Sequence, residues 1–142
     1  MKKLFFIFSI LLLLSCESDD GARRNPFLID ISFQTSLNTD LPQYSGLNFP
    51  GTSVIVPNQG IRGIIVYHIG NNQYRAHELS DPNHAPNSCS TMTVNNIEAT
   101  CPCTDDTNKY SIVSGQNLIN PNSFPMKAYR VTRSGNNVII SN

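Results

Sequence analysis

The chain has 142 residues, which is the size of a single domain. It has no Trp, only 14% charged residues, 9 Pro and 8 Gly, and this composition favours short strands joined by turns over long helices. The formal net charge is zero, which excludes the broad basic field that marks nucleic-acid-binding proteins.

The first 15 residues have the pattern of a secretory signal peptide. Two lysines precede an apolar run at 4–14, which is too short to cross a bilayer as a finished helix. The sequence that follows, LLSC at 13–16, resembles a bacterial lipobox, in which cleavage precedes a cysteine that becomes acylated. An ordinary secretory signal that happens to contain a cysteine is the alternative. We therefore expect residues 1–15 to be a lipoprotein signal peptide and Cys16 to carry acyl chains that hold the protein at a membrane.

Residues 16–25 are predicted to be a lipidated polar tether that precedes a domain at 26–142. Removal of 1–15 leaves eight basic against ten acidic side chains. The acidic stretch ESDD at 17–20 resembles the surface-export tag of lipoproteins in the Bacteroidetes group, and a plain solvated tether is the alternative. The expected location is the cell envelope, with the lipid anchor in the outer membrane or at the cell surface.

Short apolar and alternating runs separated by Gly, Asn and Pro predict an all-β domain of about eight to ten strands. Hairpin turns are expected at 70–72, 95–96 and 134–137, and a loop at 38–48 is expected to be anchored by Tyr44. No stretch shows a convincing helical period. The predicted strands lie at 27–33, 52–56, 63–69, 73–78, 91–94, 97–100, 109–113, 128–132 and 138–141.

Three cysteines remain for the domain once Cys16 is used for lipid. Cys89, Cys101 and Cys103 would lie in an oxidising compartment, where an odd number predicts one disulfide and one free thiol. They fall in or beside two polar loops, the first of which contains Asp81 and His84.

The second half of the chain, about 60–142, resembles the Rieske iron–sulfur family. Residues 63–78 are similar to the two strands that enter the first cluster loop, and IEATCPC at 97–103 is similar to the strand that enters the second. YSIVSG at 110–115 resembles a further family strand. The resemblance implies small stacked antiparallel sheets with two loops that form a cluster-binding tip. Weaker matches follow at 120–121, 125–126 and 129–131.

The cluster ligands are where the chain departs from that family. The family pattern is Cys-x-His in the first loop and Cys-x-x-His in the second, with two Cys on one iron and two His on the other. In the second loop Cys101 matches, but Thr104 stands in the place of the His. In the first loop either Asp81 and Asn83 replace both ligands, or Pro82 replaces the Cys and His84 remains.

At least two of the four ligands are therefore missing in either register. We expect the [2Fe-2S] cluster to be lost and no cofactor to bind, with a retained cluster as the alternative. His68 and His77 lie in predicted strands, and we expect them to be surface or packed residues instead of substitute ligands.

Some members of the family carry a disulfide that joins the two cluster loops, and Cys89 and Cys103 match its positions. Such a bridge would close a loop of about 14 residues and stabilise the domain by ~3 kcal/mol. Pairing of Cys89 with Cys101, which would leave Cys103 free, remains the alternative.

Other chemistry has weaker support. No Gly-x-Ser-x-Gly motif is present, and we expect no enzyme activity. His84, Cys101 and Asp81 together could bind zinc or copper, and Asp81 with two further aspartates, Asp105 and Asp106, could bind calcium. We expect these aspartates to be ordinary turn residues that bind no calcium.

The expected function is a lipid-anchored, non-catalytic binding or assembly module with a partner protein in the envelope. The alternative is an electron-transfer protein with an unusual cluster or a single metal ion.

Overall fold

The computed structural model describes residues 24–142. The predicted signal peptide at 1–15, the lipidated Cys16 and the tether as far as residue 23 lie outside the described residues. Within the described part of the chain, no helix is both long enough and apolar enough to cross a membrane.

Residues 24–142 form nine strands and one short 3-10 helix, Ser45–Asn48, which buries Leu47. The number of strands agrees with the prediction, and several bounds agree to within a residue. The strands are β1 (Gln34–Asn38), β2 (Ser53–Val56), β3 (Ile64–Gly70), β4 (Gln73–Glu78), β5 (Thr93–Asn95), β6 (Glu98–Thr100), β7 (Lys109–Ser111), β8 (Ala128–Ser134) and β9 (Asn137–Ser141).

The strands form two antiparallel sheets. The large sheet has the order β1-β9-β8-β4-β3-β2, and the small sheet has the order β5-β6-β7. Strand β8 serves both halves of the large sheet, because Ala128 and Tyr129 pair with β4 and Arg130–Ser134 pair with β9. The prediction of an all-β domain built from small antiparallel sheets is confirmed.

Asparagine and glycine set the tight turns between neighbouring strands. Asn71 and Asn72 join β3 to β4 with φ of +50° and +57°, which is the left-handed pair that a two-residue hairpin loop requires. Gly135, with φ of +57°, lies in the β8–β9 turn. The predicted hairpins are confirmed at both places.

Strand β3 connects two hydrophobic clusters because it is buried on both faces. Ile64 and Val66 belong to a cluster within the large sheet, whereas Ile65 on the opposite face packs into a cluster with the small sheet. The second cluster lies beneath two long loops, and we call it the lower cluster. Its buried residues are Ile65, Leu79, Met92, Ala99, Cys101, Cys103, Tyr110, Ile112 and Met126.

The predicted first strand at 27–33 is wrong. Asn25 accepts hydrogen bonds from the backbone N–H groups of Phe27 and Leu28, at 2.8 and 3.0 Å, so the chain turns there instead of extending. The first strand is the more polar segment Gln34–Asn38, which pairs with β9. Because its partner strand lies about 100 residues away in the sequence, the local sequence pattern does not mark this segment as a strand.

Candidate functional site

Two loops meet at one end of the small sheet, and we call this region the loop tip. The first loop, at 81–90, is closed by a bridge between Ser80 and Thr91 and by a 3.0 Å hydrogen bond from Asp81 N to Ser90 O. The second loop, at 101–108, is closed by a 3.0 Å hydrogen bond from Cys101 N to Asn108 O.

A disulfide joins the two loops. Cys89 is bonded to Cys103, with 5.2 Å between their Cα atoms and 14 positions between them in the sequence. The alternative pairing of Cys89 with Cys101 is wrong, because Cys101 is a buried free thiol.

Asp81 is fully buried and is held by hydrogen bonds from neutral groups. Its Oδ1 atom accepts the Tyr110 hydroxyl at 2.6 Å and the Asn83 backbone N–H at 2.8 Å. Its Oδ2 atom accepts the Asn108 side-chain amide at 3.0 Å. Burial raises the pKa of Tyr110, and the hydrogen bond to Asp81 raises it further. The hydroxyl therefore stays protonated and keeps donating to the carboxylate.

The side chain of Asn83 makes three hydrogen bonds. Its Nδ2 atom donates to the Phe124 carbonyl at 2.7 Å and to the Tyr110 hydroxyl at 2.9 Å, and its Oδ1 atom accepts the Phe124 N–H at 3.0 Å. These contacts bind the first loop to a third loop at 117–124. Asn83 is therefore a structural cross-link whose two amide hydrogens are both used within the protein.

The thiol of Cys101 faces two carboxylates. The donor atoms of Cys101, Asp81 and Asp106 lie within 4.8 Å of one another. Burial raises the pKa of Cys101 to about 12, and the nearby carboxylates of Asp106 and Asp81 add to that effect. Cys101 is therefore a neutral thiol at neutral pH. The Oδ2 atom of Asp106 is shielded from solvent and accepts no hydrogen bond in the described part of the chain.

His84 lies on the other side of Asp106. Its Nδ1 atom is 2.8 Å from the Ala85 carbonyl oxygen and its Nε2 atom is 3.2 Å from Asp105 Oδ2. The backbone hydrogen bond to Ala85 and the carboxylate of Asp105 raise the pKa of His84. The pKa of Asp105 is lowered in turn by its hydrogen bond to His84. Thr104 is exposed at the surface.

The potential metal ligands that lie close together in the structure are not the sets that the sequence suggested. The metal-ligating atom of His84 lies within 4.8 Å of those of Cys103, Asp105 and Asp106. Among residues 24–142, no set of three or more such atoms within 4.8 Å of one another contains both His84 and Cys101. The suggested zinc or copper set of His84, Cys101 and Asp81 is therefore wrong. The suggested calcium set is wrong as well, because the groupings place Asp105 with His84 and not with Asp81.

A second buried carboxylate, which the sequence analysis missed, braces the base of the first loop. Glu78 accepts the backbone N–H groups of Ile61 at 2.7 Å, Arg62 at 2.8 Å and Ser80 at 2.9 Å, together with the Tyr129 hydroxyl at 2.7 Å. Glu78 ends the polar strand QYRAHE, where an exposed carboxylate is ordinary, so the sequence carried no signal for it.

His68 and His77 are packed residues. His68 stacks on Tyr74 with 4.4 Å between ring centroids, and both imidazoles are less than 5% exposed. Burial lowers the pKa of His77 to about 4, and the charge of Arg75 adds to that effect. Neither histidine belongs to a donor group within the described residues.

No protein-family model and no curated protein matches the chain. Several solved structures resemble it. One is the ferredoxin complex "Complex of reduced oxygenase and oxidized ferredoxin in carbazole 1,9a-dioxygenase", at 20% identity and a TM-score of 0.48, covering 80% of this chain and 94% of that chain. Another is the ferredoxin of carbazole 1,9a-dioxygenase from Nocardioides aromaticivorans IC177, at 18% identity and a TM-score of 0.45, covering 78% of this chain and 97% of that one.

The E. coli protein NirD is similar to the same extent, at 15% identity and a TM-score of 0.46, covering 79% of this chain and 98% of NirD. Because these TM-scores are below 0.5, the similarity assigns no function to the chain.

Proposed function

We propose that the chain is a lipid-anchored, non-catalytic binding or assembly module, built on a Rieske-like scaffold that no longer holds a [2Fe-2S] cluster. The scaffold is supported by the order of the sequence matches between 60 and 142 and by the disulfide between Cys89 and Cys103, which joins the two loops where the family resemblance places it.

The residues at the ligand-equivalent positions do not fit an iron–sulfur cluster. The observation that carries the proposal is the buried carboxylate of Asp81, which three neutral donors of its own chain already occupy. Asn83 makes three hydrogen bonds within the chain, and Thr104 offers a hydroxyl, which is a poor iron ligand compared with imidazole. Residues that match metal-ligand positions of the family are thus engaged in hydrogen bonds within the chain.

The proposed location is the outer membrane or the cell surface, through acyl chains on Cys16, with a partner protein of the envelope and no nucleic acid. Replacement of Cys16 by Ser should release the protein from the membrane fraction into the soluble fraction. Replacement of the neighbouring Ser18 by Ala is the matched control and should leave the protein in the membrane fraction. A Cys16→Ser variant that stays with the membrane would contradict the anchor.

The loss of the cluster is tested by purification of the full chain under anaerobic conditions, beside a Rieske ferredoxin prepared in the same way. The expected preparation is colourless and lacks the roughly two irons per chain that a cluster supplies. A reddish-brown preparation with about two irons per chain would overturn the proposal.

A second candidate is an electron-transfer protein with a single metal ion. It is favoured by one grouping, in which donor atoms of Asp81, Cys101 and Asp106 lie within 4.8 Å of one another, and in the described part of the chain the Asp106 Oδ2 atom accepts no hydrogen bond. Elemental analysis of the same preparation separates the two candidates, because a resident metal would remain with the protein at about one equivalent.

A further inference from the structure

The disulfide of the loop tip lies beside a histidine and two carboxylates. The ligating nitrogen of His84 and the sulfur atoms of Cys89 and Cys103 lie within 4.8 Å of one another. A second grouping with the same limit contains His84, Cys103, Asp105 and Asp106. Two sulfurs, one imidazole and two carboxylates therefore converge, and His84 and Cys103 belong to both groupings.

The orientation of His84 suits a metal ligand. Its Nδ1 atom lies 2.8 Å from the Ala85 carbonyl and can donate to it, while Nε2 faces the carboxylate of Asp105, 3.2 Å away, and donates its proton there in the metal-free protein. Metal-bound histidines are held in this manner, with the distal N–H on a backbone carbonyl. A cation between Nε2 and Asp105 would take the place of a proton.

We propose that reduction of the Cys89–Cys103 disulfide converts the loop tip into a Zn²⁺ site with Cys89, Cys103, His84 and Asp105 as its four ligands. This role goes beyond the proposed binding module and uses none of the positions equivalent to Rieske ligands except His84. Two thiolates, one imidazole and one carboxylate match the tetrahedral sites that zinc prefers, whereas calcium and magnesium require oxygen ligands alone.

The oxidation state of the sulfurs controls the site. In the disulfide neither sulfur is a thiolate, so neither can ligate strongly. A dithiol reductant transfers two electrons and two protons, breaks the S–S bond and leaves as its own disulfide. Zinc then binds the two thiolates, and the two thiol protons pass to solvent.

The reductant can reach the disulfide through Cys89, since Cys103 is only 5% exposed, and the metal can reach Asp105 and His84. Cys89 is partly exposed, the side chain of Asp105 is 72% exposed and that of His84 is 13% exposed. The loops also have closures that do not depend on the disulfide, namely the bridge between Ser80 and Thr91 and the hydrogen bond from Cys101 N to Asn108 O. These contacts would keep the ligands near one another after reduction.

The test is zinc binding by the full chain carrying Cys16→Ser, measured against a competing chelator with and without a phosphine reductant. The phosphine takes an oxygen from water and leaves two thiols without chelating the metal. The reduced protein should bind one Zn²⁺ at least about tenfold more tightly than the oxidised protein. Bound Co²⁺ should show thiolate-to-cobalt absorption in the reduced protein only.

Three variants distinguish the folded site from nonspecific binding by free thiols. His84→Ala and Asp105→Asn should each weaken zinc binding by at least about tenfold, because each removes a ligand. Cys101→Ser should leave the affinity within about twofold, because Cys101 belongs to neither of the groupings that contain His84.

Equal affinity in the two oxidation states would overturn the proposal. So would zinc binding that depends on Cys101 but not on His84, or loss of the β-sheet circular dichroism on reduction that zinc does not restore. None of these results bears on the iron content of the purified protein, which decides the proposed function separately.

Discussion

At the scale of single residues, Asp81 shows how a carboxylate is kept in the interior without a cation. Within residues 24–142, its partners are a hydroxyl, a backbone N–H and an amide, and no ion pair involves it. Hydrogen bonds to a charged group contribute about 1.5–3 kcal/mol each when they are well made, and an unsatisfied partner is costly. The network is therefore sensitive to the loss of one member.

Replacement of Tyr110 by Phe removes one donor from Asp81 and one acceptor from Asn83. We expect the free energy of unfolding to fall by about 1–3 kcal/mol, because the Asp81 carboxylate stays fully buried with one donor fewer. The measurement is the urea midpoint at unchanged m value. Tyr67→Phe is the matched control, because the Tyr67 hydroxyl has no hydrogen bond among those of the described residues, and it should change stability by less than about 0.5 kcal/mol. Equal losses in the two variants would contradict the network.

His77 should make the protein sensitive to acid. Its pKa is about 4 in the folded protein, below the ordinary value of 6.5, so the unfolded chain takes up the proton first. The contribution of neutral His77 to the free energy of unfolding is complete above pH 6.5. It is lost as the pH falls through the folded pKa near 4, and the total loss is about 3 kcal/mol.

Unfolding midpoints measured between pH 4 and pH 7 test this dependence. His77→Gln should have a flatter profile than the unmodified protein over that interval. His84→Gln is the control, because a raised pKa has the opposite sign and loses its contribution as the pH rises. Parallel profiles for His77→Gln and the unmodified chain would exclude His77 as the group responsible.

At the scale of elements, the contact between the two sheets depends on a glycine as well as on apolar side chains. Gly115 follows β7 and has φ of +78°, and a Cβ atom on it would lie 2.9 Å from His77 Nε2 in β4. The Gly115 carbonyl also accepts the N–H of Met126, at 2.8 Å, in the lower cluster. The close approach of the small sheet to the large sheet requires a residue without a side chain at this point.

Replacement of Gly115 by Ala should therefore cost more than backbone strain alone. The left-handed conformation costs about 1–2 kcal/mol for an L-residue, and contact with the buried His77 ring adds to it. Gly135→Ala is the matched control, since Gly135 has φ of +57° and open space around a Cβ atom. In chemical denaturation, Gly115→Ala should have a lower free energy of unfolding than Gly135→Ala. The reverse order would contradict the packing argument.

At the scale of the whole molecule, one covalent link and one packed cluster hold the loop tip. Cys103 is 5% exposed and contributes to the lower cluster, whereas Cys89 lies partly exposed above it. The disulfide thus connects the partly exposed first loop to the buried lower cluster. In a domain of this size, such a link is a large part of the total stability.

Replacement of both Cys89 and Cys103 by Ala should lower the free energy of unfolding by about 3 kcal/mol, as expected for a loop of about 14 residues. Thermal unfolding without added metal measures the loss. Cys101→Ala retains the disulfide and should cost less, because it removes only one buried thiol. A double variant as stable as the unmodified chain would show that the backbone closures suffice.

The sequence by itself determined the all-β class, most strand positions and the hairpin turns, because strand alternation and the left-handed preference of Asn and Gly are local properties. It also named Asp81, Asn83, Cys89, Cys101 and Cys103 as residues of the two loops, because spacing along the chain is visible in the sequence. It placed the first strand wrongly, since the partner of Gln34–Asn38 lies at the far end of the chain.

Only the tertiary structure decided which groups meet. It separated His84 from Cys101, placed Tyr110 and Asn108 on the Asp81 carboxylate, and set His84 beside the disulfide of Cys103. These contacts join residues that are 19 positions (His84 and Cys103) to 29 positions (Asp81 and Tyr110) apart in the chain, and Tyr110 and Cys103 both belong to the lower cluster. Such distances have no periodic or compositional signature, so a sequence can supply the donors without revealing which of them converge.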